Sequence, residues 1–232
     1  MIGGRVASVL IGLATAIVIV AVAILPFLTP QWVAFEQDRA QATAWTGFTT
    51  SEIRVATDGI LADLVLGGDF DVQLNGVPVL HERERAHMSD VRTVFRGLWI
   101  LAVVSAVVLV AVAVARRGDA TRTWRAIRRG ALGLAVGVVI AGVTGVVAFE
   151  RLFEVFHEVF FPAGSYLFDP ATDRLVQLFP FQFWQETTIV VGGVIIALAL
   201  VVAFVAGRRA RRDMVAHPEA ERAGSVVAEP RS

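Results

Sequence analysis

Four long apolar segments alternate with polar segments along the chain. The apolar segments cover residues 1–28, 95–115, 131–149 and 187–207. Each is long enough for a helix to cross a hydrocarbon core about 30 Å thick. We therefore predict a mainly α-helical membrane protein with four transmembrane helices. The polar segments between and after them cover residues 29–94, 116–130, 150–186 and 208–232.

The first apolar run, Val6–Leu28, has a second interpretation as a cleaved signal peptide. A small-residue sequence that suits cleavage is present at Ala21-Val22-Ala23. However, the run is longer than the roughly 7–15 apolar residues typical of a signal peptide. We therefore favour an uncleaved helix that anchors the N-terminus.

The polar segment 29–94 carries signals of a small folded cap. Thr49 and Glu52 have the spacing of a capping box, and an amphipathic helical pattern follows them as far as Gly67-Gly68. Alternating apolar residues then surround Asn75-Gly76, a pair that readily adopts the two positive φ angles of a hairpin turn. Pro78 restricts the second strand to an edge. These patterns predict a small cap of mixed α/β structure.

The distribution of arginine predicts the orientation in the membrane. Six arginines lie in the segment 116–130, and four more lie between residues 208 and 212. Because basic residues concentrate in cytoplasmic loops, both termini are predicted to be cytoplasmic. The segments 29–94 and 150–186 are then extracytoplasmic. The segment 208–232 has few large apolar residues, which predicts a disordered cytoplasmic tail.

Composition removes several kinds of chemistry. The chain is 56% hydrophobic with a mean hydropathy of +0.66, and it contains neither cysteine nor lysine. The missing cysteine excludes disulfides, thiolate metal sites and a cysteine nucleophile. The missing lysine excludes Schiff-base chemistry. There is also no glycine-rich phosphate loop and no dinucleotide fingerprint.

Two histidines on the extracytoplasmic side are the main candidates for chemistry, and we expect the fold to bring them together. His87 is three residues from Asp90, so on a helix the carboxylate and the imidazole share a face. The alternative is a solvated helix end, with residues 82–85 forming surface ion pairs. His157 lies in an aromatic run, where a polar ring needs a partner. Its alternative is an interfacial histidine satisfied by the backbone or by water.

Other site types have weaker support. The histidines together with Asp90, Glu158 or Asp169 offer ligands for zinc, but the sequence contains no HExxH motif. It also contains no G-x-S-x-G, so Ser89 and Ser165 lie in no recognisable nucleophile elbow.

Two histidine motifs together resemble a known family. They are His-Met-Ser-Asp-Val-Arg at 87–92 and Phe-His-Glu-Val-Phe-Phe at 156–161, and the second is followed by Leu-Phe-Asp-Pro at 167–170. In combination with four predicted spans, the chain resembles the lipoprotein intramolecular transacylases of bacteria. Two positions depart from the pattern: Tyr166 stands where tryptophan is expected, and Phe181 where an acidic residue is expected.

The resemblance implies an enzyme of the bacterial cytoplasmic membrane with its active face outside. It moves the acyl chain on the second glycerol carbon of a diacylglyceryl lipoprotein to the α-amino group of the lipidated cysteine. The implied partners are membrane lipids and the N-terminal lipopeptide of such lipoproteins, with no cofactor, no metal and no nucleic acid. The implied catalytic pair is His87 and His157.

We favour His157 as the base, because apolar surroundings keep an imidazole neutral. The predicted supporting residues are Asp90, Arg92, Tyr166 and Asp169. Arg92 lies near the outer interface, where it either polarises the ester carbonyl or meets lipid headgroups. Two other functions compete with this one. The first is a non-catalytic membrane protein that binds lipid or a partner protein through the cap, and the second is a metal-dependent hydrolase.

Overall fold

Eight α-helices and one short β-hairpin make up the part of the chain that this computed structural model describes, residues 2–116 and 119–227. The helices are α1 (Ile2–Ile24), α2 (Pro30–Arg39), α3 (Ala42–Thr46), α4 (Thr50–Ala62), α5 (Glu82–Ala115), α6 (Ala120–Phe160), α7 (Arg174–Leu178) and α8 (Phe181–Val227). A 3-10 turn, Leu25–Leu28, follows α1, and a π-helical turn, Asp63–Gly67, follows α4.

Four helical segments are long and apolar enough to cross a membrane, as predicted. They are Gly4–Leu28, Glu82–Ala115, Ala120–Gly145 and Phe181–Met214. All of them except the first extend well beyond the apolar run that predicted them. For example, α5 begins at Glu82 rather than at residue 95, and its 34 residues correspond to a length of about 51 Å. The additional turns of α5 carry His87.

Two segments that composition suggested were irregular are largely helical in the structure. α6 begins at Ala120, inside the predicted basic loop 116–130. α8 continues to Val227, through most of the predicted disordered tail, and residues 228–232 lie outside the described residues. Arginine is the commonest residue in both segments and has high helix propensity, so their low content of large apolar residues does not prevent helix formation.

The structure confirms the local signals in the segment 29–94. Thr49 and Glu52 form the complete capping box at the start of α4. The hairpin pairs β1 (Gln73–Leu74) with β2 (Val77–Pro78) in antiparallel register. Asn75 and Gly76 form its two-residue turn with φ of 54° and 78°, the positive angles that this pair was expected to supply.

The chain divides into two compact units, and the candidate site lies in the unit formed by Val22–Ile100 and Ile140–Val194. The hydrophobic core of this unit joins α2, α3, α4, the hairpin, α7 and the first turns of α5 and α8. The buried core residues are Val33, Ala40, Ala42, Ile53, Ala56, Ile60, Leu61, Phe70, Val79, Leu80, Met88, Leu175, Leu178, Phe179 and Phe183. The core therefore fixes the first turns of α5 against the elements packed on them.

The other unit consists of Met1–Ala21, Leu101–Val139 and Ile195–Ser232. Within it, α1 and α6 come into backbone contact at Gly12 and Gly130. A Cβ atom added to Gly12 would lie 3.3 Å from the Gly130 Cα, and a Cβ added to Gly130 would overlap the Gly12 backbone. By contrast, a Cβ at Gly133 or Gly137 would meet nothing within 4 Å among the described residues. Only glycine therefore permits this crossing.

Ala148 interrupts α6 with a non-helical φ of −144° and ψ of 36°. Two features just before it favour a break. Gly145 has low helix propensity, and the Thr144 hydroxyl donates to the Ile140 carbonyl, a bond that tends to bend helices. The kink lies next to residue 149, where the third apolar segment was predicted to end. The helical turns after the kink carry His157.

Candidate active site

The two histidines come together, as the sequence predicted. The imidazole of His87 on α5 and that of His157 on α6 have ring centroids 6.1 Å apart, and their planes differ by only 19°. Both lie in the same compact unit. Their catalytic role stays a prediction, but their separation leaves both rings within reach of one small reacting group.

The backbone fixes the tautomer of His157. Its Nδ1 lies 2.7 Å from the carbonyl oxygen of Phe153, one turn earlier in α6. Because a carbonyl oxygen only accepts hydrogen bonds, Nδ1 carries the proton. In the neutral ring, Nε2 then holds the free lone pair. The rings of Phe153 and Tyr166 pack beside the imidazole, with centroids 4.3 and 5.1 Å away.

His87 is more deeply enclosed. The residue is 6% exposed, and the rings of Phe161 and Phe168 contact it edge-on at centroid distances of 4.8 and 5.4 Å. Its Nδ1 is buried and has no hydrogen-bond partner among the described residues. Asp90 shares the helix but does not bond to this nitrogen, so the predicted tautomer-fixing pair is not formed. A buried polar atom left in this way costs about 1–3 kcal/mol, which a bound partner would recover.

The loop between α6 and α7 supplies Tyr166, Phe168 and Asp169. Its shape depends on Asp173, whose Oδ2 accepts from the Asp169 N–H at 2.7 Å and from Arg83 Nη2 at 2.8 Å. The Asp169 carboxylate accepts from the backbone N–H of Ala171, so it is used within the loop. Asp169 therefore helps to shape the loop, and its predicted supporting role in the site stays a prediction.

Arg83 connects this loop to α5. Its guanidinium bonds to Asp173 and also lies 5.1 Å above the ring of Phe168, which in turn contacts His87. Arg83 and Asp173 thus hold an aromatic wall against the imidazole.

Glu84 is the largest surprise of the site. One of the two interpretations of residues 82–85 placed it in a run of surface ion pairs, yet it is 0% exposed. Its Oε2 accepts from the backbone N–H of His81 at 2.7 Å, and its Oε1 accepts from that of Leu175 at 2.5 Å. One carboxylate therefore caps the starts of both α5 and α7. The surface interpretation was wrong because Glu84, His87, Met88 and Val91 recur at helical spacing on one buried face, a signal that the charged neighbours obscured.

Arg92 binds the backbone of the turn that follows α4. Its guanidinium donates to the carbonyls of Asp63 and Gly68 and to the Ser89 hydroxyl, and it lies 5.0 Å above the ring of Phe70. These bonds satisfy most of its donors. The structure therefore uses Arg92 to close that turn, and none of these contacts reaches a histidine ring.

A cleft of about 500 Å³ opens on another face of α5. It is lined by Gly68, Asp69, Phe70, Glu82, Arg85, Ala86, Ser89 and Arg92. Neither histidine lines it. In the described parts of the chain, no three acidic or histidine side chains converge in a way that could hold a metal ion. The aromatic enclosure around the two imidazoles is the candidate site.

Comparison with known proteins identifies the fold. The structure of the membrane-integral lipoprotein intramolecular transacylase Lit from Bacillus cereus matches with a TM-score of 0.76 at 16% identity, covering 91% of this chain and 97% of that one. A form of the same protein with a histidine replaced by arginine matches at 0.73, with 16% identity over 92% and 94% of the two chains. A form with a histidine replaced by alanine matches at 0.67, with 17% identity over 91% and 96%.

Sequence comparison extends this result. An uncharacterized protein of Aquifex aeolicus (strain VF5) is 26% identical over 130 residues, which are 56% of this chain and 57% of that protein. The match therefore spans less than two thirds of this relative. The four apolar helices and the membrane-integral structural neighbours show a multi-pass membrane protein. Residues 8–184 match the family described as lipoprotein intramolecular transacylase Lit, and the chain belongs to this family.

Proposed function

We propose that this protein transfers an acyl chain within a diacylglyceryl lipoprotein, from the second glycerol carbon to the cysteine α-amino group. The observation that carries the proposal is the pair of imidazoles 6.1 Å apart inside an aromatic enclosure. Family membership supports the same reaction class. The reaction forms one amide bond and breaks one ester bond. It therefore needs a group that accepts the amine proton and a group that protonates the departing glycerol oxygen.

His157 is the proposed base. Its Nδ1–H is held by the Phe153 carbonyl, which leaves the Nε2 lone pair for the attacking amine. The amine has an ordinary pKa of about 8, so part of it is neutral before the base acts.

His87 is the proposed acid. Its enclosed ring donates to the oxygen atoms of the ester, first to the developing oxyanion and then to the departing glycerol oxygen. The proton that His157 has taken restores His87, so the pair ends as it began and no acyl-enzyme forms. Because the amine and the ester belong to one molecule, correct positioning alone contributes several kcal/mol of the rate acceleration. Tyr166 and Phe168 form walls that exclude water from these steps.

The substrate reaches this site through a lipid-facing surface. Helix α6 after its kink exposes an apolar face that includes Phe156, Val159 and Phe160. The glycerol-linked acyl chains would lie along this face, with the ester at the level of His157. The partners are accordingly membrane lipids and the N-terminal lipopeptide of diacylated lipoproteins.

The proposed location is the cytoplasmic membrane of a bacterium. The arginines of segment 116–130 and of residues 208–212 favour the cytoplasm for both ends of the chain. The helices α2–α4 with the hairpin then form an extracytoplasmic cap, and the histidine pair acts from the outer face.

The test is mass spectrometry of the N-terminal lipopeptide of an abundant lipoprotein, in cells without N-acylating activity of their own. Expression of the protein should convert the diacylglyceryl form with a free amine into an N-acyl, monoacylglyceryl form of identical mass and different fragmentation. His157→Asn and His87→Asn should each reduce the conversion by about 10²–10⁴-fold. His81→Asn is the matched control, because His81 is exposed and contributes only its backbone N–H to Glu84.

Full conversion by an inserted, folded His157→Asn variant would contradict the assignment of the base. An unchanged lipopeptide with the wild-type protein would remove the proposed reaction. Binding of lipid or of a partner through the cap would then become the better explanation of the histidine enclosure.

A further inference from the structure

Helix α8 has two opposite faces near the end of its apolar stretch. One face is a buried row of small residues: Ala199, Ala203, Ala206 and Ala210. The other face is exposed and changes character within a single turn. It is apolar at Val201, Phe204 and Val205, and it is cationic at Arg208, Arg209 and Arg212. The distance from Val205 to Arg208 along the helix axis is only about 4.5 Å.

The cationic face encloses a small cleft. Val205, Arg208, Arg209 and Arg212 line a space of about 190 Å³. The guanidinium of Arg208 lies 5.6 Å from the centre of the Phe204 ring, so a positive charge sits directly beside the exposed apolar surface. Three arginine side chains and one valine therefore line the cleft, with the exposed apolar surface of α8 directly beside it.

A second helix adds charge to the same turn. Arg128 of α6 lies across Gly207, with its Nε 3.4 Å from the position that a Cβ would take. Among the described side chains, no carboxylate lies within ion-pair distance of Arg208, Arg209 or Arg212. Among the side chains that the structure describes, the cluster is therefore purely cationic where the apolar surface ends.

We propose that this cleft binds the phosphate group of an anionic phospholipid. The acyl chains lie along Val201, Phe204 and Val205, and Arg208, Arg209 and Arg212 bind the phosphate oxygens. A free phosphate ion or a nucleic acid would use the arginines but would leave the adjoining apolar surface exposed. The phospholipid is the one ligand that matches both halves of the face. The proposal is independent of the acyl-transfer reaction, because none of these residues belongs to the unit that holds the histidines.

The test uses the full-length protein released from nanodiscs and analysed by native mass spectrometry. The discs contain phosphatidylcholine with a small fraction of phosphatidylglycerol. The wild-type protein should retain phosphatidylglycerol preferentially. The triple variant Arg208→Gln/Arg209→Gln/Arg212→Gln should bind it about 100-fold more weakly, since each basic residue near an anionic leaflet contributes roughly fivefold in affinity.

A charge-matched control separates this site from general attraction to an anionic surface. Arg5→Gln/Arg116→Gln/Arg129→Gln removes the same charge elsewhere and should bind like the wild-type protein. Phe204→Ala should weaken the retention of phosphatidylglycerol without changing the charge of the protein. It therefore provides a second test if the triple variant does not fold. Circular dichroism and size-exclusion chromatography verify the fold of each variant.

Several results would overturn the proposal. The wild-type protein could retain both lipids equally, or a folded triple variant could retain as much phosphatidylglycerol as the wild-type protein. The control variant could also lose as much phosphatidylglycerol as the triple variant. Inorganic phosphate added in excess should not displace the lipid. Displacement at millimolar concentration would identify the site as one for a free anion instead.

Discussion

Glu84 offers the sharpest test of how the site is built. Its buried carboxylate accepts from the backbone N–H groups of His81 and Leu175, and it therefore connects the start of α5 with the start of α7. Glu84→Gln keeps the size of the side chain but turns one acceptor oxygen into an NH₂ donor. The new NH₂ group then faces one of the two backbone N–H groups. That hydrogen bond is lost, and two donors oppose each other.

The magnitude follows from these two bonds. A hydrogen bond to a charged acceptor contributes about 1.5–3 kcal/mol, and a buried N–H without a partner costs about 1–3 kcal/mol. Removing the charge also removes the desolvation penalty of the carboxylate, which offsets part of this loss. We therefore expect the free energy of unfolding to decrease by about 3 kcal/mol.

Denaturant unfolding in detergent micelles, followed by tryptophan fluorescence, measures this change. The matched control is Glu82→Gln, because Glu82 lies in the same first turn of α5 but is exposed. It should alter stability by no more than about 0.5 kcal/mol. Equal stability of the two variants would refute the reasoning. Lipopeptide conversion should also fall in Glu84→Gln, since His87 lies one turn further along α5.

Two further predictions concern other parts of the molecule. Gly130→Leu should destabilise the protein in thermal unfolding, because its side chain would overlap the backbone of Gly12, whereas Gly133→Leu meets open space and should be nearly neutral. Burial and the neighbouring Glu186 raise the pKa of Glu36 from 4.5 to about 7. The folded state then binds more protons than the unfolded state between these values, so stability should fall as pH rises from 4.5 to 7. Glu36→Gln should flatten this dependence in unfolding measured across the pH range, and an unchanged slope would contradict it.

Much of the fold could be predicted because its signals are local. The capping box at Thr49 and Glu52 and the turn at Asn75-Gly76 each depend on residues within a few positions of one another. The apolar segments are equally visible, because a membrane-crossing helix needs a continuous apolar run. The meeting of His87 and His157 was expected from topology and from the family resemblance, and the structure brings their rings together.

The missed features depend on partners that are distant in the sequence. Nothing near Glu84 indicates that Leu175 will supply a backbone N–H, so a charged run at 82–85 suggests a solvated surface. Likewise, Gly12 and Gly130 contact each other only after α1 and α6 have packed. The kink at Ala148 occurs without a proline, the strongest sequence signal for a break.

The hydrogen bond from His157 to the Phe153 carbonyl has a consequence for how this site can change over evolution. In many histidine-dependent enzymes a carboxylate orients the imidazole, so losing that one side chain disables the base. Here the orienting group is a peptide carbonyl, which every amino acid at position 153 supplies. Mutation can replace the neighbouring side chains without rotating the proposed base. The side chains around the imidazole, Tyr166 among them, can therefore vary, while the direction of the Nε2 lone pair is inherited with the helix.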